Sequence, residues 1–130
     1  MKQKKIKVLM VEPGKHPVET TLDNTLDSLQ KAVSIGTDYQ GLIELIYVEP
    51  GVLFLCNEEG KLNGMEGNRK FGADILTGVF YVVGEDVFGN LTSLSDNNIE
   101  KYKSRFWHPE FYTDDDVQRA VYYKVKEWNE

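Results

Sequence analysis

The sequence predicts an α+β fold: a mostly antiparallel sheet of about five strands, with helices packed on one face and a C-terminal helical pair. Three observations predict it. Short β-branched runs separated by Pro/Gly turns fill the first half of the chain. The run Gly78–Gly84 is apolar between its two glycines and reads as a central strand. The last third switches to apolar residues at helical spacing. Strands first and helices last is the pattern of a sheet with segregated helices.

Each element has its own reason. Ile6–Val11 is β-branched and apolar, hence a strand. Glu12-Pro13-Gly14-Lys15-His16 is turn chemistry, because Pro presets φ and Gly accepts a positive φ. Val18–Leu22 returns as the second arm of a hairpin. Asn24 is placed to cap a helix, with Asp27 three residues on in a capping-box arrangement. Leu26, Leu29 and Val33 give that helix one apolar face, and Gly36 is its expected stop. Leu42–Val48 and Val52–Cys56 flank Pro50-Gly51 and form a second hairpin, closed by the polar turn Asn57-Glu58-Glu59-Gly60. Lys61–Gly72 is rich in Gly and Asn and has little periodicity, so a loop with up to one helical turn is expected. Ser95 caps a helix whose Ile99, Tyr102 and Phe106 share a face. Trp107-His108-Pro109 ends it, since Pro disfavours helix in the residue before it. Thr113 caps a final helix. Asp114, Asp115 and Asp116 fall at the positive end of its dipole, and Val117, Val121, Val125 and Trp128 form its stripe.

Composition narrows the classes. The chain has 130 residues, 41% hydrophobic and 28% charged, which fits one globular domain over residues 1–130. The single cysteine, Cys56, allows no internal disulfide and suits a reducing compartment. The basic N-terminal segment leads into an apolar run well short of the roughly 7–15 residues of a signal peptide, so a cytoplasmic location is expected. The longest apolar stretches, such as Val79–Val83, are far below the ~20 residues of a membrane helix. With only His16 and His108 beside that cysteine, neither metal nor cofactor is expected. A net charge of −6 argues against nucleic acid as the partner.

Chemistry is sparse. There is no phosphate-binding loop, dinucleotide fingerprint, nucleophile elbow or zinc-protease motif. Cys56 shares a strand face with Val52 and Phe54 and reads as a buried structural thiol. Nothing places His16 or His108 beside a nucleophile, so no catalytic residue is assigned. Two segments offer ligand contacts. The first gathers Asn57, Lys61, Asn68 and Arg69, followed by Phe71; amides and a guanidinium suit a phosphate or carboxylate. Its plain alternative is a surface loop of turn residues. The second runs from Arg105 to Tyr112, where Arg105, Trp107 and His108 suit stacking on a planar base. Its plain alternative is a corner that anchors two helices in the core, with any exposed subset an interface hot spot.

Several stretches taken together resemble the domain of unknown function 3846 family over about residues 4–110. They are Val11-Glu12-Pro13-Gly14-Lys15, Leu22-Asp23-Asn24-Thr25-Leu26, Cys56–Leu62 with Asn68-Arg69, Asp74–Phe80 with Val83-Gly84, and Ser93–Ser95 through Glu100–Tyr102. The resemblance implies a bacterial phage or mobile-element context and no established activity, so it carries over no catalytic residue. It also implies that the helix at 113–130 is an addition to the family core.

The expected function is therefore a non-enzymatic binding protein of phage or mobile-element origin. It would act in counter-defence by sequestering a small nucleotide-type signal. The alternatives are an inhibitor that binds a host defence protein directly, or a small accessory enzyme. Self-association is expected, with the final helix as one possible contact, and no membrane partner is expected.

Overall fold

The computed structural model describes residues 3–38, 40–61 and 63–128, with side chains as far as Val121. Two hairpins open the chain. β1 (Lys5–Val11) pairs with β2 (Val18–Asp23), and after α1 (Leu26–Ala32), β3 (Ile43–Glu49) pairs with β4 (Val52–Asn57). A small hairpin of β5 (Gly67–Phe71) and β6 (Asp74–Thr77) follows. Next come β7 (Phe80–Glu85), β8 (Leu91–Thr92), α2 (Asp96–Arg105) and α3 (Asp114–Trp128). The main sheet has the order β2-β1-β7-β4-β3, antiparallel throughout, with β8 beside β7. The fold class is thus the expected α+β, and the glycine-bounded run is the central strand.

Strand alternation explains the layering. Leu9, Val11, Val52, Phe54, Phe80 and Val82 point to one face, where Ile99, Tyr102 and Phe106 of the α2 segment cover them. Ile6, Val8, Leu53, Leu55, Tyr81 and Val83 point to the other, where Leu29, Ala32 and Val33 cover them. The expectation of helices on one face is corrected. Three inner strands are apolar on both sides, and a sheet buried on both sides needs a cover on each.

The segment expected as a loop, Lys61–Gly72, instead holds β5, one strand of a second sheet. Gly67-Asn68-Arg69-Lys70-Phe71 has little strand propensity, yet it pairs with Asp74–Thr77. Tertiary contacts hold it there. Leu76 packs into the α2-side core, while Ile75 on the opposite face meets Val117, Ala120 and Tyr112. α3 therefore forms an outer layer on this hairpin. The stripe residues Val125 and Trp128 lie outside the described side chains, and Leu62 outside the described residues.

Caps follow local chemistry, with one change. Thr25, not Asn24, caps α1: its hydroxyl accepts from the Ser28 N–H at 3.2 Å. Asn24 is buried and donates its amide to the carbonyls of Gln3 and Leu91. Ser95 caps α2 by accepting from the Asn98 N–H. Thr113 and Asp116 cap α3 reciprocally, each side chain accepting from the other's backbone N–H.

Candidate functional site

The feature that unites distant segments is a buried arginine. Arg69 is completely enclosed, at 0% exposure. Its guanidinium makes five hydrogen bonds. Nε and Nη2 donate to the Phe106 carbonyl at 3.1 and 2.9 Å, and Nη2 donates to the Lys15 carbonyl at 2.7 Å. Nη1 donates to the Asn68 side-chain oxygen at 2.7 Å and the Asn68 carbonyl at 3.4 Å. All five N–H donors are occupied. Asn68 completes the frame, its amide donating to the carbonyls of Val11 and Gly78.

The bonded groups are carbonyls, and the Phe106 carbonyl belongs to the C-terminal cap of α2, the negative end of that helix. Burial pushes the Arg69 pKa down, while nearby Glu110 and Tyr112 oppose the shift. A guanidinium so placed stays charged.

The two long-range carbonyls Arg69 grips precede His16 and Trp107 in the chain. Those two rings lie stacked, centroids 4.0 Å apart and planes 10° apart. His16 Nδ1 lies 2.5 Å from the Trp107 carbonyl, which only accepts, so Nδ1 carries the proton. Trp107 keeps 40% exposure, and His108 beside it is exposed. The outcome is a two-ring surface platform standing on a buried polar frame.

The other expected contact residues disperse. Asn57 is buried at the α1 side, donating to the Val33 carbonyl and accepting from the Glu59 N–H. Lys61 is half-buried and pairs with Asp74 at 2.6 Å. Phe71 is half-buried, edge-on to Phe54. Arg105 is exposed, its guanidinium over the rings of Phe71 and Phe106 at 5.4 and 5.3 Å. Asn57, Asn68 and Arg69 thus use their polar atoms inside the protein, whereas Arg105, Trp107 and His108 are accessible. Sequence reasoning missed the pairing of His16 with Trp107, because 91 positions separate them and no local pattern links them.

Among the described residues, cavities lie elsewhere. The one between the small hairpin and α3 has about 360 Å³ and includes Lys70, Phe111, Tyr112 and Arg119 in its lining. Among the described residues, no three metal-ligating side chains come together. Nor is any helix there long and apolar enough to cross a membrane.

The sheet, its two covers and the platform define a small α+β domain with a surface built on an internal arginine. The chain belongs to the family described as Domain of unknown function (DUF3846), whose model matches residues 6–107. The match spans the main sheet, the small hairpin and α2, and ends on Trp107; α3 lies beyond it. No curated protein and no solved structure matches the chain.

Proposed function

We propose that this protein is a non-catalytic binding protein carried by a phage or mobile element, and that it counters host defence by docking on a host protein through the His16–Trp107 platform. One observation carries this reading. Arg69 holds the carbonyls just before both rings, so the platform is fixed before any partner arrives. Preorganised aromatic side chains make strong interface anchors because little freedom is left to lose on binding. The groups first suited to a small anionic ligand, Asn57, Asn68 and Arg69, already have internal partners. That favours a protein partner over a sequestered signal at those residues.

The test is affinity capture from host lysate with the native protein and with Trp107→Ala. A stoichiometric partner retained by the first and lost by the second supports the reading. Equal capture by both, or no partner at all, overturns it.

A second reading keeps the nucleotide-type ligand, at the cavity between the small hairpin and α3. Lys70 and Arg119 there offer cations, and Phe111, at 78% exposure, offers a stacking face. Calorimetric titration with cyclic nucleotides and ADP-ribose derivatives tests it. Heat that disappears in Lys70→Ala supports it, and no heat with any of them removes it.

A further inference from the structure

The two edges of the sheet are finished differently. On β2, Glu19 and Asp23 pair with Lys7 and Lys5 on β1, and Thr21 is the exposed residue between them. Such charged side chains blunt an edge against further pairing. On β3, the exposed residues are Leu45 at 46% and Tyr47 at 62%, with Leu42 at 55% just before the strand.

The backbone of β3 also points outward in a definite register. The Glu58 N–H donates to the Leu42 carbonyl, so residues 42, 44 and 46 bond inward to β4. Alternation then turns the N–H and C=O groups of Ile43, Leu45 and Tyr47 away from the sheet. Ile43 packs on the α1 side, which puts Leu45 and Tyr47 on that same face. The acids do not guard this face. Glu44 alternates to the α2 side. Glu49 is held by Lys101 at 2.7 Å and by the Tyr102 hydroxyl at 2.6 Å.

We propose that β3 pairs antiparallel with β3 of a second copy of this chain, joining two sheets into one. The strand is self-complementary for that operation. A two-fold axis at Ile46 sets Leu45 opposite the partner's Tyr47, and Tyr47 opposite the partner's Leu45. The β-bulge at Val48, between Tyr47 and Glu49, limits the regular ladder to residues 45–47; Glu44 then falls beside the partner's bulge, so no like charges meet. Each outward N–H and C=O of Leu45 and Tyr47 gains a bonding partner, and the exposed apolar side chains of both copies are covered together. A surface that matches itself under a two-fold rotation is what an isologous dimer requires. β2 lacks this property: its exposed residues are Val18 at the strand's start, then Glu19, Thr21 and Asp23, so a lone apolar side chain stands beside two acids.

Sedimentation equilibrium on the full chain, over a concentration series, tests it. The expected result is twice the monomer mass for the native protein. The monomer mass is expected for Leu45→Lys combined with Tyr47→Lys, with an unchanged circular dichroism spectrum. A β2 control, Thr21→Lys, is expected to stay dimeric. The register has its own test. Ile46 opposes itself as a non-hydrogen-bonded pair, where Cα atoms lie about 4.5 Å apart, within disulfide reach. Ile46→Cys in a Cys56→Ala background is expected to give a covalent dimer on oxidation, and Thr21→Cys in that background is not. A native protein that stays monomeric overturns the proposal. So does a dimer that survives the β3 double variant, or cross-linking at Thr21→Cys in place of Ile46→Cys.

Discussion

The two faces of the sheet are closed by different means. The α1 side is mainly aliphatic, covered by a helix of seven residues and the Val33 that follows it. Tyr81 adds one polar tie there, donating its hydroxyl to the Ala32 carbonyl at 2.9 Å. The α2 side is aromatic: Phe54 meets Phe71, Phe80, Tyr102 and Phe106 at centroid distances of 5.0 to 6.0 Å. Beside those rings lies the charged Arg69–Asn68 frame. Apolar burial alone holds a sheet together but is non-directional. Hydrogen bonds from a rigid guanidinium fix where particular loops go. The polar side is the one that carries a preorganised surface pair, and that is the difference the following variants probe.

The largest effect is expected at Arg69. Arg69→Met removes the donors to the Phe106, Lys15 and Asn68 carbonyls, and each buried group left without a partner costs about 1–3 kcal/mol. The sum is a loss of about 3 kcal/mol or more, read from urea denaturation. Leu55→Ala on the aliphatic side is expected to cost about 2–5 kcal/mol through the cavity it leaves. Only the first variant should also separate the rings. The His16 imidazole signals, ring-shifted by stacked Trp107, move toward free-histidine positions in Arg69→Met and stay in place in Leu55→Ala. If both variants move them, or neither does, the polar frame does not position the platform.

The same contrast explains what the sequence made legible. The strands β1, β4 and β7 were readable because their apolar runs are strong signals whatever their partners. The caps Ser95 and Thr113 were readable because capping is local. Thr25 displaced Asn24 because Asn24 finds buried carbonyl partners far along the chain. β5 was not readable. Its Gly, Asn and Arg adopt strand geometry on account of tertiary bonds, and those bonds reach from Arg69 back 54 positions and forward 37. Arg69 itself stood out as a chemically distinctive residue. Whether it faced a ligand or the interior depended on those same distant carbonyls.

Tyr81→Phe sharpens the comparison at the next scale. It removes the one hydroxyl tie noted on the α1 side, at a cost of about 1 kcal/mol near neutral pH. Burial, helped by the Glu12 charge, pushes the Tyr81 pKa from 10.0 up to about 12. A phenol whose folded pKa is raised stabilises fully below pH 10.0 and loses that contribution as pH climbs toward about 12. The native protein should therefore lose stability over that window, and Tyr81→Phe should lose less of it. Equal alkaline losses would show that Tyr81 ionises alike in the folded and unfolded chains. Tyr102 gives the matching measurement on the α2 side. It too is pushed up to about 12, by burial first and then by its bond to Glu49.

Cap removal is smaller and tests each helix by itself. Thr25→Ala and Ser95→Ala each delete one side-chain acceptor and are expected to cost about 1 kcal/mol. The consequences should differ in place. Faster amide exchange is expected over residues 26–32 in the first variant and over 96–105 in the second, without crossing the sheet. Exchange that rises on both sides in either variant would mean that the two covers open as one unit.

The smallest effect expected is electrostatic, at acid pH. The α2 side is tied to the sheet by ion pairs between elements, Lys101–Glu49 and Lys7–Asp96, whereas the α1 pair Lys31–Asp27 lies within its own helix. Hydrogen bonds from Lys101 and Tyr102 hold the Glu49 pKa below its ordinary 4.5, and the bond from Lys7 holds Asp96 below its ordinary 3.8. A carboxyl depressed on folding binds fewer protons in the folded chain than in the unfolded one. Its contribution is therefore present above its ordinary value and is lost as pH falls through the depressed one. Solvent screens these exposed pairs, so the change is modest and weakens with added salt. Lowering the pH from neutral to about 3 should speed amide exchange in α2 relative to the sheet more than it does in α1. Glu49→Gln should flatten the fall in urea midpoint below pH 4.5. An acid limb of unchanged slope in that variant would mean that the aromatic packing of Tyr102 and Phe106 alone holds α2 against the sheet, and that the ion pairs only decorate its rim.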